Sequence, residues 1–178
     1  PAALGELSEL TSLQLSSNQI TGLPEEIGKL KKLTSLSVYS NKLASLPEGI
    51  GGLESLISLS VYSNQLSTLP ESIGNLKKLT QLEAQNNQIA SLPSTFGGMS
   101  ALQSLTLNNN KLAGELPQVI CGLTNLTNLQ LQSNQLTSIP SSIGNLAKLQ
   151  TLYMPSNNLK GNLPSSLTNL TQLTSFNI

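Results

Sequence analysis

The chain predicts a single α/β solenoid, a right-handed curved coil with a parallel sheet on its concave face and short helical or 3₁₀ segments on its convex side. Three observations predict it. A 23-residue unit, LxxLxLxxNxLxxLPxxIGxLxx, recurs from end to end and is opened by Leu10, Leu33, Leu56, Leu79, Leu102, Leu126, Leu149 and Leu173. Its first part alternates apolar and polar residues, and its second part places asparagine and proline at fixed offsets. The array divides into a partial repeat at 1–9, seven full repeats over 10–172 and a partial repeat at 173–178, with no separate domain between the columns.

The strand comes first in each unit. Behind the opening leucine run two further apolar columns, Leu13, Leu36, Leu59, Leu82, Leu105, Leu129, Leu152 and Phe176, then Leu15, Val38, Val61, Ala84, Leu107, Leu131, Met154 and Ile178. Alternation of this kind gives a short strand with one buried face, and one such strand per unit stacks into a parallel sheet. A single copy cannot bury its own leucines, so stability becomes a sum of repeat and interface contributions.

The bend and the return follow. Asn18, Asn41, Asn64, Asn87, Asn110, Asn134 and Asn157 sit where each strand turns away, and an amide can satisfy both backbone donors and acceptors there. They predict a buried structural ladder rather than ligand residues. Pro24, Pro47, Pro70, Pro93, Pro117, Pro140 and Pro164 fix φ near the helical value and predict that a short helix or 3₁₀ segment begins there. Glu25, Glu26, Glu48 and Glu71 follow the prolines, while Lys31, Lys32, Lys77, Lys78 and Lys148 come near the segment ends, each sign matching the helix dipole.

These leucine, asparagine and proline positions together make the whole chain resemble a leucine-rich repeat protein. Copies such as 33–55 and 56–78, with their LPxxIGxL endings, are similar to the 23-residue class of Ras-suppressor and Scribble-type proteins. Units 102–125 and 149–172 have 24 residues and contain Leu112-Ala113-Gly114-Glu115-Leu116-Pro117 and Leu159-Lys160-Gly161-Asn162-Leu163-Pro164, similar to the LxGxLP signature of plant receptor-type repeats. The resemblance implies a binding module whose partners meet the concave face.

Composition removes most other classes. The chain carries 9 lysines and 9 acidic residues, all Glu, with no His, and its formal charge is zero. Neither nucleic acid nor an anionic membrane is favoured, and no apolar run is long enough to span a bilayer. Without His or Asp, and with the single cysteine Cys121, the common triads and zinc sites cannot be built, and no glycine-rich phosphate loop occurs. The expectation is therefore no enzyme, no catalytic residue, no metal and no cofactor. Cys121 replaces the glycine of the Ile-Gly dipeptide and reads as a semi-buried packing residue.

Function then falls to the outward positions between the leucines. One column reads Gln14, Ser37, Ser60, Glu83, Thr106, Gln130, Tyr153 and Asn177; the next reads Ser16, Tyr39, Tyr62, Gln85, Asn108, Gln132 and Pro155. Neighbouring strands lie about 4.8 Å apart, so Tyr39 and Tyr62 are predicted neighbours on a face about 34 Å long. Tyrosine offers rigid contact area with a polar tip. A tyrosine pair also stabilises adjacent strands by cross-strand contact alone, and this second reading stands beside the first. The candidate partner-binding residues are Tyr39, Tyr62, Glu83, Gln85, Gln130, Gln132 and Tyr153, with a protein or peptide as ligand.

The alternative is a structural or adhesive array that assembles through its ends. Neither end reads as a polar cap: 1–9 aligns with the second half of a unit and Ile178 falls within a strand, which predicts a section of a longer protein or a partner over each end. Regular surface adsorption, as on ice, is disfavoured because the outward columns mix Gln, Glu, Tyr and Pro. Sequons occur at Asn125-Leu126-Thr127 and Asn169-Leu170-Thr171, and a surface rich in Ser, Thr, Asn and Gln is more typical of extracellular arrays than of cytosolic ones.

Overall fold

The structure, a computed structural model, describes residues 2–178; Pro1, the first residue of the partial unit at 1–9, lies outside the described residues. Alternation interrupted by a bend every unit permits only short strands. They are β1 (Ser12–Gln14), β2 (Ser35–Ser37), β3 (Ser58–Ser60), β4 (Gln81–Glu83), β5 (Ser104–Thr106), β6 (Ala113–Glu115), β7 (Asn128–Gln130), β8 (Gln135–Ser138), β9 (Thr151–Tyr153) and β10 (Ser175–Asn177). Eight of them pair in parallel in the order β1-β2-β3-β4-β5-β7-β9-β10. Register is kept unit by unit: Leu13 lies opposite Leu36, Leu36 opposite Leu59, and Leu59 opposite Leu82.

A second sheet, β6 with β8, was not foreseen. The residue that lengthens the 24-residue units falls between Leu112 and Leu116 and again between Leu159 and Leu163. Each insertion carries a glycine at positive φ, Gly114 at 75° and Gly161 at 76°. That backbone is open to glycine at no steric cost. Around Gly114 it lets the chain extend beside Gln135–Ser138, with an irregular register between Gly114 and Glu115.

The core is one continuous prism. Each inner coil contributes its strand leucines, the residue two after the asparagine (Leu43, Leu66, Ile89, Leu112, Leu136) and the apolar residue of the convex turn (Ile27, Ile50, Ile73, Phe96, Ile120, Ile143), the named residues all fully buried. Cys121 belongs to this core and is buried rather than half-buried, and burial raises its thiol pKa above the ordinary value. The predicted apolar columns reach solvent only in the outermost coils, where a coil has one neighbour: Phe176 and Ile178 are each 45% exposed.

Convex segments are 3₁₀ turns, typically five residues long, as in Glu25–Lys29, Glu48–Gly52 and Glu71–Asn75. They begin one residue later than predicted. Pro24, Pro47 and Pro70 sit at the N-cap in extended backbone, and their carbonyls accept the first turn bonds, as from Ile27 N to Pro24 O at 3.1 Å. Among the turns that follow a described proline, only Phe96–Gly98 differs, starting three residues after Pro93 with Thr95 at its cap.

The predicted dipole pairing operates mainly between coils, although Lys77 also donates to Gly74 O of its own turn at 2.8 Å. Glu25 accepts from Gly49 N at 2.6 Å and Glu48 from Ser72 N at 3.0 Å, so each carboxylate caps the turn of the following unit. Lys31 and Lys77 reach the far ends of the next turns, donating to Gly52 O at 2.9 Å and Gly98 O at 2.8 Å. Stacking in register aligns successive turns, which brings the terminus of one turn within reach of a side chain from the coil before it.

Glu71 is the fullest case. Its carboxylate accepts from Ser94 N, Ser94 Oγ and Thr95 N at 3.1–3.2 Å, and its carbonyl accepts from Thr95 Oγ1. Partial desolvation pushes this carboxyl up, but the hydrogen bonds from Ser94 and Thr95 outweigh it and leave the pKa lowered. A lowered folded-state value means stabilisation that is present above the ordinary glutamate range and lost as pH falls through the lowered value. Glu71→Gln is therefore expected to destabilise the protein at neutral pH and to match the parent in strong acid. Urea midpoints at both pH values check this, and an equal gap at both would refute it.

The asparagine ladder forms inside the bends. Asn41 donates to Leu15 O of the preceding coil at 3.0 Å and to its own Val38 O at 3.1 Å, while its Oδ1 accepts from Ile20 N at 2.9 Å. Asn41, Asn87, Asn110 and Asn134 are buried, Asn64 and Asn157 partly so. Asn18 departs from the prediction and is exposed, because among the described residues no strand precedes β1 to cover it, and there it bonds only to Leu15 O and Ser16 O. Just before each ladder residue the backbone is left-handed: Ser17, Ser40, Ser63, Asn86, Asn109, Ser133 and Ser156 have φ of 53–59°. That conformation tightens the bend, and short polar side chains tolerate it best after glycine.

Candidate functional site

The concave face follows from register. Because strand leucines point inward, the alternate residues point outward, and the pairing Ser37–Ser60–Glu83–Thr106–Gln130–Tyr153 makes them one row across β2, β3, β4, β5, β7 and β9. A third outward row, Ser12, Ser35, Ser58, Gln81, Ser104, Asn128, Thr151 and Ser175, runs beside the two read from the sequence. All three rows contain a single charged residue, Glu83.

The seven candidate residues are half-buried rather than fully exposed, since neighbouring strands crowd each side chain. They fall into two groups. Tyr39, Tyr62, Glu83 and Gln85 lie on the successive coils of β2, β3 and β4; Gln130 and Tyr153 are direct neighbours across β7 and β9, with Gln132 two residues beyond Gln130. The coil of β5 separates the groups, with Thr106 and Asn108 at the corresponding positions.

Tyr39 and Tyr62 are neighbours as predicted, their rings stacked with centroids 4.4 Å apart and planes 6° from parallel. Desolvation, then the adjacent Tyr39 and the Glu83 charge, raise the Tyr62 phenol above its ordinary value. Glu83 is held from two sides, accepting from Ser60 Oγ at 2.6 Å and from Gln81 Nε2 at 2.9 Å. Neither of these supports was singled out from the sequence. Ser60 was legible as the row neighbour of Glu83, whereas Gln81 needed the third row. The Oε1 atoms of Gln85 and Gln132 are closed to solvent and have no hydrogen-bond partner among the described residues.

The arrangement is a surface and not a cleft. Hollows of about 450 Å³ and 300 Å³ are lined by Glu6–Leu10 and by residues such as Met154, Leu159 and Ile178, toward the two ends of the array and away from the tyrosine pair. Among the described residues, no His, Cys, Asp or Glu side chains group as metal ligands, and no helix is long and apolar enough to cross a membrane.

The two sequon asparagines differ in setting. Asn125 donates to Ser100 O at 2.8 Å and accepts from Lys148 Nζ at 2.6 Å, so both ends of its amide are engaged. Asn169 closes the Ser165–Asn169 turn and is exposed.

A stacked parallel sheet inside, 3₁₀ turns outside and an asparagine ladder at every bend define a leucine-rich repeat solenoid. Models of leucine-rich repeats match residues 2–86, 92–136 and 148–170, and the chain belongs to the leucine-rich repeat family. No curated protein matches it. Among solved structures it is similar to a leucine-rich repeat protein of Leptospira interrogans, with 36% identity and a TM-score of 0.94, covering 98% of this chain and 44% of that one. It is also similar to the ectodomain of the Arabidopsis thaliana membrane receptor kinase GASSHO1/SCHENGEN3 in complex with CASPARIAN STRIP INTEGRITY FACTOR 2 (33% identity, TM-score 0.75, 98% of this chain and 25% of that one). The functional domain of InlJ from Listeria monocytogenes, which includes a cysteine ladder, is similar at 26% identity and a TM-score of 0.81, covering 97% of this chain and 35% of that one. The chain thus spans less than half the length of each.

Proposed function

We propose that this array is a non-catalytic recognition module that binds a protein or peptide across its concave face, with Tyr39, Tyr62, Glu83, Gln85, Gln130, Gln132 and Tyr153 as contacts. The observation that carries it is the stacked tyrosine pair standing on a largely polar, near-neutral face beside the one charged residue there. Rigid aromatic area with a polar tip is what binding hot spots use. The GASSHO1/SCHENGEN3 ectodomain, similar in fold and seen with a bound factor, supports the same use of a repeat array. Its ectodomain origin and the Ser, Thr, Asn and Gln surface support an extracellular or cell-surface setting, in which exposed Asn169 is the better glycan acceptor.

A displayed library of random decapeptides tests the reading. Binders selected on the parent chain are expected to lose at least about tenfold in affinity to Tyr39→Ala/Tyr62→Ala, as hot-spot truncations do. Affinity unchanged in a folded double variant would remove the tyrosines from the interface. With one charge on the face, affinity is expected to change less than about tenfold between low and physiological salt. A steeper fall, measured by titration calorimetry, would contradict the neutral-face argument.

A further inference from the structure

The surroundings of Tyr62 specify more than an aromatic contact. Tyr39 covers one side of its ring, and the next coil along the array, on the other side, brings Glu83 and Gln85. Glu83 accepts one hydrogen bond at each carboxylate oxygen, from Ser60 and Gln81, which fixes its orientation and leaves lone pairs free on both oxygens. Among the described residues the charge has no cationic partner: the ion pairs there, Lys31–Glu54 and Lys32–Glu9, lie elsewhere. Gln85 Oε1 is shut from solvent with no donor, so turning its amide toward an incoming N–H forfeits no hydrogen bond.

We propose, resting on the concave-face reading above, that the partner inserts an arginine side chain beside Tyr62, its guanidinium plane against the ring on the side away from Tyr39 and its N–H fork on the Glu83 carboxylate. A planar cation suits a flat aromatic slab, and its fork matches a carboxylate already held in place. Lysine offers a point charge with neither the plane nor the fork. Charge complementarity is unambiguous, because no other charged residue stands in the three outward rows.

Random decapeptides selected on the parent chain, resynthesised with each arginine replaced by neutral citrulline, provide the test. Expected is enrichment of a single arginine, a loss of about tenfold or more on citrulline replacement, and a similar loss on Glu83→Gln. The two losses should not add, since both remove one contact. The citrulline arm uses the unaltered protein, so it stands even where Glu83→Gln disturbs the fold. Binders that need the tyrosines but carry no cation would overturn the arginine assignment and leave concave-face recognition intact. Binders indifferent to Tyr39→Ala/Tyr62→Ala, or no binders at all, would overturn both.

Discussion

Asn87→Ala is expected to destabilise the array by about 3 kcal/mol, and Asn18→Ala by less than about 1 kcal/mol. Both residues occupy the same place in their repeats. Asn87 is buried, its Oδ1 accepts from Leu66 N at 3.0 Å, and its amide donates to Val61 O and Ala84 O at 3.1 Å and to Gln85 O at 3.3 Å. Alanine leaves a buried N–H and several carbonyls without that partner, and each unsatisfied buried group costs about 1–3 kcal/mol. Asn18 is open to water, which replaces its two bonds. Urea unfolding of the two variants decides the matter, and comparable losses would mean that burial does not set the strength of the ladder. Because each coil contacts only its neighbours, hydrogen exchange in Asn87→Ala should quicken first in the coils of β3, β4 and β5.

Gly74→Ala is expected to cost about 2 kcal/mol, although alanine is the better helix former. A methyl group there would lie 2.8 Å from Thr95 Cβ and closer still to the Thr95 carbonyl oxygen, so the convex turns must separate. Overpacking of this kind typically costs about 1–3 kcal/mol, more than the gain of about 0.4–1 kcal/mol from a less flexible unfolded chain. Gly97 is the internal control. Its nearest obstacle, Val119 O, lies at 3.0 Å, a tight contact that a shift of a few tenths of an ångström relieves, so Gly97→Ala should cost clearly less than Gly74→Ala. Thermal unfolding of the two variants checks the ranking, and a Gly97→Ala loss equal to that of Gly74→Ala would refute the steric account.

The repeated Ile-Gly dipeptide is easily read as a turn signal, yet Gly74 is needed for the coil stacked on it. That requirement is invisible along the chain because the colliding atoms belong to Thr95, twenty-one residues away. The carboxylates after the prolines repeat the lesson: helix-dipole logic gave the right sign, and the partner of Glu25 proved to be Gly49 in the following unit. Likewise, Tyr39 and Tyr62 were legible as neighbours from the period alone, whereas the grip of Ser60 and Gln81 on Glu83 was not, since it depends on side-chain rotamers across and along strands.

By itself, the sequence determined the repeat, the parallel order of the main sheet, which leucines face inward and which residues share two of the three concave rows. Those properties follow from periodicity, and a strict period leaves one way to superpose successive units. Tertiary structure decided the extent of burial in each coil, the inter-coil caps of the convex turns, the β6–β8 sheet and the environment of Tyr62. These depend on how closely one coil approaches the next, a distance set by packing and backbone geometry that no single unit encodes.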